Sequence, residues 1–177
     1  MKKYEFTGET KEIRLLFRTA TLHRIRATVA FGIVEVGDLG GWIEKEENLS
    51  HEGKAWVCGD AEVWGNAKVW GNAKVCGDAE VCGDAEVWGN AKVFSASHVL
   101  VIGAIGSRND FTTFYRDKDN EITVKCGCFL GKIDRFLEKV TQTHGDSKYA
   151  LVYRAAVEVA KLQIDLSGEA PKDADEE

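Results

Sequence analysis

Two cysteines one residue apart are the first residues in this chain that could hold a metal. Cys126 and Cys128 offer two thiolates, and His144 could supply a third ligand. Tetrahedral zinc takes four ligands, and no second Cys-x-Cys or His-x-His pair accompanies this one. Residues two apart on a strand point to the same face, so both sulfurs are expected to pack there. We therefore predict no metal and no cofactor.

Basic side chains concentrate near the N-terminal end of the chain. Residues 1–34 carry seven basic and three acidic side chains, whereas the whole chain has a net charge of −6. Guanidinium groups bind phosphate and carboxylate through paired hydrogen bonds. Arg24 and Arg26 are therefore candidate contacts for a small anionic ligand such as a nucleotide, although these charges could also be merely solvated. The acidic remainder argues against a long nucleic acid as partner.

A glycine-containing segment further along the chain holds another candidate anion contact. Residues 103–108 read Gly-Ala-Ile-Gly-Ser-Arg, without the Gly-Lys-Ser/Thr ending of a phosphate-binding loop. We interpret this segment as an exit from the repeat region that precedes it. Arg108 nevertheless remains a candidate ligand-binding residue.

A six-residue repeat must position most of the remaining candidates. From Ala55 the chain reads AWVCGD, AEVWGN, AKVWGN, AKVCGD, AEVCGD, AEVWGN, AKVF, and we call these units the hexads. Alanine and valine are two apart, so they share one face of an extended chain, and the Glu or Lys between them points to the other. Glycine followed by Asp or Asn is typical of a turn. Three hexads per coil would bury the Ala/Val face and stack residues eighteen apart.

This repeat resembles the hexapeptide-repeat family, in which an aliphatic residue is followed four positions later by a small one. Val57 and Ala61 fit that spacing, as do Val63 and Ala67 and their successors. The resemblance implies a left-handed parallel β-helix, commonly a homotrimer. We therefore expect a mainly β fold with four segments: an N-terminal strand cap (1–35), the hexapeptide β-helix (36–106), a C-terminal β-hairpin with two helices (107–166) and a disordered acidic tail (167–177).

The residue after each valine should point outward at a corner of the predicted coil. Stacking at eighteen residues would place Trp70 beneath Trp88 and Cys58 beneath Cys76, with Phe94 in the cysteine column. An exposed apolar stripe usually marks an interface, so Trp70, Trp88 and Phe94 are predicted to form a homotrimer contact. In the alternative, the tryptophans form a stacking platform for a base or sugar ring of the ligand: Trp64, Trp70 and Trp88. The odd cysteine count favours reduced thiols, with Cys58 and Cys76 as packing residues.

The flanking segments carry ordinary strand and helix signals. Alternating apolar residues (Ile13, Leu15 and Phe17) predict N-terminal strands, and residues 111–116 and 122–126 predict a β-hairpin. Apolar positions at helical spacing predict a helix that ends near Gly145. A second helix is expected to reach about Leu166.

Enzymes of the hexapeptide-repeat family are acyltransferases that use acetyl-coenzyme A and a histidine base. Among the four histidines, His98 would be the better candidate for such a base. No insertion interrupts the regular hexads to form a substrate loop, and a fold alone does not establish an activity. Acyltransferase activity is therefore an alternative to a binding function.

The order of segments also resembles a family of small proteins encoded by phages and prophages. The residues behind this resemblance are Gly37-Asp-Leu-Gly-Gly-Trp-Ile-Glu44, Asn48-Leu-Ser50, the hexads, Gly106-Ser-Arg-Asn-Asp110, Cys126-Gly-Cys-Phe129 and Thr143-His-Gly145. That family has no assigned catalytic residues, so the resemblance implies a phage context only. We predict a non-enzymatic binding protein that sequesters a ligand, for example a nucleotide signal, or a host protein to counter host defence. A structural or protein-interaction module is a further alternative.

Two absences in the sequence bear on where the protein would act. No apolar stretch approaches the roughly 18 residues of a membrane helix. The charged residues that follow Met1 are not succeeded by the apolar segment of a signal peptide. We therefore expect the protein in the cytoplasm of the host bacterial cell, without a membrane partner.

Overall fold

The computed structural model describes residues 2–15 and 18–167 of the chain. Its first element is an antiparallel hairpin of β1 (Tyr4–Arg14) and β2 (Thr19–Ala27). A third strand, β3 (Leu39–Ile43), pairs antiparallel with β2 on the other side. The N-terminal strands that the sequence predicts are thus confirmed.

One face of this hairpin packs against the body of the protein. The buried residues of β2 fall mostly at alternate positions, as expected of a strand with one covered face: Ala20, Leu22, Ile25 and Ala27. Among the predicted strand residues, Ile13 belongs to β1 and Leu15 directly follows it, whereas Phe17 lies outside the described residues.

Each hexad contributes one strand of only two residues, and a glycine turn follows each of the first six valines. The seven strands are β4 (Trp56–Val57), β5 (Glu62–Val63), β6 (Lys68–Val69), β7 (Lys74–Val75), β8 (Glu80–Val81), β9 (Glu86–Val87) and β10 (Lys92–Val93). All seven pair in parallel with one another at a separation of eighteen residues, as between Val63 and Val81. The predicted stacking distance is confirmed.

The strands of the hexads are distributed over three sheets. One sheet has the order β1-β2-β3-β5-β8, a second β10-β7-β4, and a third contains β6 and β9. Every alanine and valine of the hexads is buried and belongs to one continuous apolar core. The inward Ala/Val face predicted from the two-residue spacing is therefore confirmed. Two short 3-10 turns lie on either side of the hexads, at Glu46–Asn48 and Ala96–His98.

The C-terminal part of the chain builds a second core of its own. Four antiparallel strands lie side by side in chain order: β11 (Val99–Ile105), β12 (Asp110–Arg116), β13 (Ile122–Cys126) and β14 (Phe129–Lys132). Two helices follow and pack with this sheet: α1 (Ile133–His144) and α2 (Lys148–Gln163). Residues from both layers, including Phe114, Val124, Phe136 and Val157, fill the space between them. The predicted hairpin and the two helices are confirmed, and α2 ends three residues before Leu166.

The predicted fold class, a mainly β left-handed parallel β-helix, is wrong. The described residues form several small separate sheets, one of them mixed and one of four antiparallel strands, together with two helices. The repeat determines the structure of the hexads but not that of the segments before and after them. The hairpin before them adds antiparallel strands to the sheet that holds β5 and β8, which makes that sheet mixed.

The end of the predicted β-helix is also misplaced. Val99–Ile105 was assigned to the last, irregular coil, but it forms β11, the first strand of the C-terminal antiparallel sheet. Apart from Ser167, the predicted disordered tail lies outside the described residues. Neither helix among the described residues has the length and apolar character needed to cross a membrane.

Candidate functional site

A pocket of about 310 Å³ opens between the C-terminal sheet and the two helices. This volume lies at the lower end of the range for small-molecule sites. Its wall combines apolar, polar and basic side chains from the β11–β12 turn, the β13–β14 turn, α1 and α2. The lining residues are Ser107, Arg108, Cys126, Cys128, Phe129, Phe136, Lys139, Val140, Thr143, His144 and Tyr153.

The helix α1 supplies one continuous wall of this pocket. Lys139 and Val140 lie three and four residues after Phe136, and four and three residues before Thr143, so all four residues share one face of the helix. Phe136 and Val140 are buried and form the apolar floor, whereas Lys139 is exposed at the rim. The helix ends at His144, and Gly145 follows with a φ of 55°.

Two cations face this pocket without an acidic partner. Arg108 and Lys139 both line it, and none of the lining residues is acidic. Within the described ranges 2–15 and 18–167, neither side chain forms an ion pair. The Arg108 guanidinium lies over Gly127, where an added Cβ atom would approach Nη1 to 2.9 Å. The pocket therefore presents uncompensated positive charge beside an apolar floor, which favours an anionic ligand with an apolar part.

A series of neutral polar groups crosses the base of the pocket. Thr112 Oγ1 donates to Cys126 Sγ at 3.2 Å. Burial raises the pKa of Tyr153, the neighbouring Cys126 raises it further, and hydrogen bonding from Ser107 opposes the shift. The phenol consequently stays protonated over the physiological range. No side chain fits at Gly106, because a Cβ atom there would lie 1.9 Å from the Tyr153 hydroxyl oxygen.

The polar groups of the pocket do not form a hydrolytic triad. Ser107 Oγ and His144 Nε2 are 3.5 Å apart, which is at the limit for a hydrogen bond. A nucleophilic serine requires a histidine that is itself oriented, usually by a carboxylate. Among the described residues that line the pocket, no carboxylate is present to orient His144.

The structure separates Arg108 from the other two predicted anion contacts. Arg26 donates to Glu5 through Nε and Nη2, at 3.1 and 2.5 Å. Arg24 lies 5.1 Å from the ring centre of Trp42, and its Nη1 is 4.0 Å from Asp60. The N-terminal basic patch is thus largely neutralised by acidic neighbours, and only Arg108 lines the pocket.

The predicted tryptophan stack forms, but it is not a fully exposed column. Trp70 and Trp88 are parallel, with ring centres 5.3 Å apart and an angle of 2° between their planes. The ammonium of Lys125 lies 5.0 Å from the ring centre of Trp88. Trp64, Trp70, Trp88 and Phe94 are all half-buried. The subunit interface and the ligand platform predicted for these rings stay predictions.

Two further predictions concern histidine and cysteine chemistry. His98 is buried, its Nδ1 accepts from the backbone N–H of Phe94, and its Nε2 is 3.2 Å from Arg116 Nη1. Burial and the adjacent Arg116 lower its pKa. A histidine engaged at both nitrogens in this way is not placed to act as a base on a substrate.

The cysteines differ in part from the prediction. Cys58 and Cys76 form a disulfide, because stacking brings their Cα atoms to 4.5 Å, so the expectation of reduced packing residues is wrong for this pair. Cys126 and Cys128 are free thiols. The part of the chain that the structure describes contains no group of three potential metal ligands.

Sequence reasoning missed most of the pocket. In the sequence, Phe136 and Val140 are apolar positions at helical spacing, and Lys139 between them carries no signal that distinguishes it from an ordinary solvated lysine. Tyr153 likewise has only the spacing of an apolar face of the second helix. Only the packing of α1 and α2 on the sheet brings these residues to Arg108.

Comparison with protein-family models and with curated proteins gives no match for this chain. The resemblances to hexapeptide-repeat and phage proteins therefore remain predictions. A function has to be argued from the geometry of the pocket.

Proposed function

We propose that this protein is a non-enzymatic binding protein for a small anionic ligand that also carries an apolar or aromatic group. The observation that carries the proposal is the pair of cations, Arg108 and Lys139, at the rim of an apolar pocket whose lining, among the described residues, contains no acidic side chain. A carboxylate in the lining would neutralise these cations internally, so its absence favours an external anion.

The chemistry of the lining favours a phosphate joined to a ring. An arginine binds two phosphate oxygens at once, and a lysine ammonium adds a compact second charge. Phe129, Phe136 and Val140 provide an apolar surface for a base or another planar group. A volume of about 310 Å³ suits a mononucleotide-sized molecule and leaves no room for a polymer.

The biological setting belongs to the same proposal. The resemblance to phage and prophage proteins suggests that the ligand is a host signal, for example a nucleotide, which the protein withdraws to counter host defence. That role places the protein in the cytoplasm of the infected bacterium. Reducing thiols there would act on the disulfide between Cys58 and Cys76.

Two other functions have less support. Acyltransferase activity would need a histidine base, and His98 is buried with both nitrogens engaged. A role as a protein-interaction module would need an exposed apolar surface, and the exposed apolar side chains of α2, such as Leu151 and Leu162, lie outside this pocket. Such a role is compatible with ligand binding.

Calorimetric titration with three probes tests the proposal: AMP, adenosine and inorganic phosphate. AMP should bind more tightly than either part alone, because it engages both the cations and the apolar floor. Replacing a charged hydrogen-bond donor typically costs about 1.5–3 kcal/mol, so Arg108→Ala should weaken AMP binding roughly 10- to 100-fold. Lys139→Ala should also weaken AMP binding.

The matched control is Arg135→Ala. Arg135 also lies on α1, is 80% exposed and pairs with Glu138 rather than facing the pocket. Its removal should leave AMP affinity unchanged. Equal losses for Arg108→Ala and Arg135→Ala would mean that only general surface charge is involved. Absence of binding by all three probes, together with no small molecule in the mass spectrum of the native protein, would refute the proposal.

A further inference from the structure

The helix α2 is apolar on two opposite faces. Its inner face is buried in the second core through Ala150, Tyr153, Ala156, Val157 and Ala160. Its outer face carries Leu151, Val152, Ala155, Val159 and Leu162, which we call the outer stripe. All five are exposed, and Leu162 is 89% exposed. A surface helix with one covered face normally has a polar outer face, so this stripe needs an explanation.

The outer stripe is the main concentration of exposed apolar side chains in the described part of the chain. Eleven large hydrophobic side chains are exposed there, and five of them belong to α2 alone: Tyr149, Leu151, Val152, Val159 and Leu162. Isolated exposed apolar residues are common, whereas a continuous patch marks an interaction surface.

The spacing within the stripe is that of a helix-pairing seam. Val152, Ala155, Val159 and Leu162 follow one another at intervals of three, four and three residues. That interval pattern places the side chains in a single row that fits against a second helix. Ala155 is small and lies near the middle of α2, so two helix backbones can approach closely there.

We propose that the outer stripe of α2 is the contact surface for a second copy of this chain, packed antiparallel about Ala155. In that arrangement Leu151 and Val152 of one copy lie opposite Val159 of the other, so the same patch serves both copies, as a two-fold interface requires. Lys148 of each copy lies beside the last turn of the partner helix. The carbonyl ends of that turn carry partial negative charge, which favours the ammonium.

The area available reaches the lower bound for a specific dimer when the exposed side chains are fully covered. The five exposed side chains of α2 present on the order of 500 Å² per copy, so mutual burial removes about 1,000 Å², the lower bound for a biological interface. No charged residue lies within the stripe. A dimer formed this way leaves the anion pocket on the opposite side of α2, where Tyr153 contributes to the lining. This inference does not rest on ligand binding.

Sedimentation velocity of the full chain, at concentrations from about 1 to about 100 µM, tests the dimer. The 19.5 kDa chain should sediment as a two-chain species. Val159→Glu should raise the dissociation constant at least roughly 100-fold, because it would bury a carboxylate in the seam. Val36→Glu is the matched control, since Val36 is also an exposed valine, at 67%, but lies far from α2 in the chain. Glutamate favours helix over valine, so Val159→Glu should remain folded by circular dichroism.

A crosslink gives a second, independent readout. Ala155→Cys in a Cys128→Ser background should form an intermolecular disulfide on mild oxidation, because the two-fold axis brings both copies of residue 155 together. Arg135→Cys in the same background should not. A monomer at every concentration would overturn the proposal. So would an assembly that Val159→Glu leaves intact, or a three-chain species that Trp88→Ser dissociates, which would instead support the tryptophan contact.

Discussion

Gly77 and Gly83 offer a direct test of the stacking, because their local sequences are identical. Residues 75–80 and residues 81–86 both read Val-Cys-Gly-Asp-Ala-Glu. Both glycines have left-handed backbone, with φ of 69° and 66°. Their surroundings differ: a Cβ atom on Gly77 would lie 2.7 Å from the carbonyl oxygen of Phe94, whereas a Cβ atom on Gly83 would meet no atom within 4 Å.

The expected costs follow from these two environments. Alanine in the left-handed region costs roughly 1–2 kcal/mol, and a restricted unfolded chain offsets roughly 0.4–1 kcal/mol of that. Gly83→Ala should therefore lose about 1 kcal/mol of stability. Gly77→Ala has the same backbone cost, and its added methyl group also presses against the carbonyl oxygen of Phe94. Overpacking of this kind costs roughly 1–3 kcal/mol more. We expect Gly77→Ala to be less stable than Gly83→Ala by about 1–3 kcal/mol.

Equilibrium urea unfolding of both variants measures this difference. The two substitutions change the same residue in the same local sequence, so helix or turn propensity and unfolded-chain entropy cancel between them. For a chain of this size the difference corresponds to roughly 2–4 °C in Tm for each kcal/mol. Gly77 follows Cys76, which is in the disulfide, so both variants should be compared once with and once without reductant.

Equal destabilisation by the two substitutions would refute the reasoning. It would mean that positive φ alone determines the cost and that Phe94 does not press on the turn at Gly77. A larger loss for Gly83→Ala would mean that an unrecognised contact covers Gly83.

Two further predictions concern buried charges. Asp117 is 5% exposed and accepts hydrogen bonds from Lys132 and from Thr123 Oγ1 at 2.6 Å. Burial raises the pKa of this carboxyl, but the hydrogen bonds outweigh it and leave the pKa below its ordinary value. Asp117→Ala should therefore cost about 3 kcal/mol of stability in urea unfolding at pH 7, and this cost should shrink as the pH falls through the lowered pKa. The control, Asp119→Ala, removes an exposed carboxylate and should change stability by less than about 0.5 kcal/mol. Similar losses for both variants would contradict this prediction. Burial lowers the pKa of Lys3 to about 8. As the pH rises, the folded chain therefore releases this proton before the unfolded chain does, and stability should increase from about pH 8 towards pH 10. A wild-type stability profile that is flat over this interval, or one that Lys3→Met leaves unchanged, would show that the ammonium is not buried.

The hexads were the most predictable part of the structure. Alternation between small apolar and charged residues specifies which side of a strand is covered, and a glycine every six residues specifies where each strand ends. These are local properties, so the buried valines and the eighteen-residue stacking could be read before the structure was known. The C-terminal hairpin and both helices were predictable for the same reason.

The fold class was not predictable from that repeat. The sequence contains no local signal that β3 pairs with both the N-terminal hairpin and β5, or that Val99–Ile105 leaves the repeat to begin an antiparallel sheet. Both outcomes depend on which edges are available once the chain has folded. Extending the hexad pattern over residues 36–106 therefore gave the wrong architecture.

The candidate site likewise combines residues that could be predicted from the sequence with residues that could not. Arg108 could be singled out because an arginine after a glycine-containing segment is a common anion contact. Its partners could not, because Lys139 and Tyr153 lie 31 and 45 positions further along the chain and look locally like an ordinary surface lysine and a core aromatic residue. Conversely, Arg24 and Arg26 had the composition of an anion site, but folding placed Asp60 and Glu5 beside them.

The sequence by itself determined where the chain extends, where it turns and which side chains face inward, because those properties depend on neighbours within about six residues. The tertiary structure alone decided which charges are compensated, which glycine is crowded and which helix face stays uncovered. Each of those depends on atoms from distant parts of the chain. Gly77 and Gly83 show the boundary, since the same six residues surround both and only the fold distinguishes them.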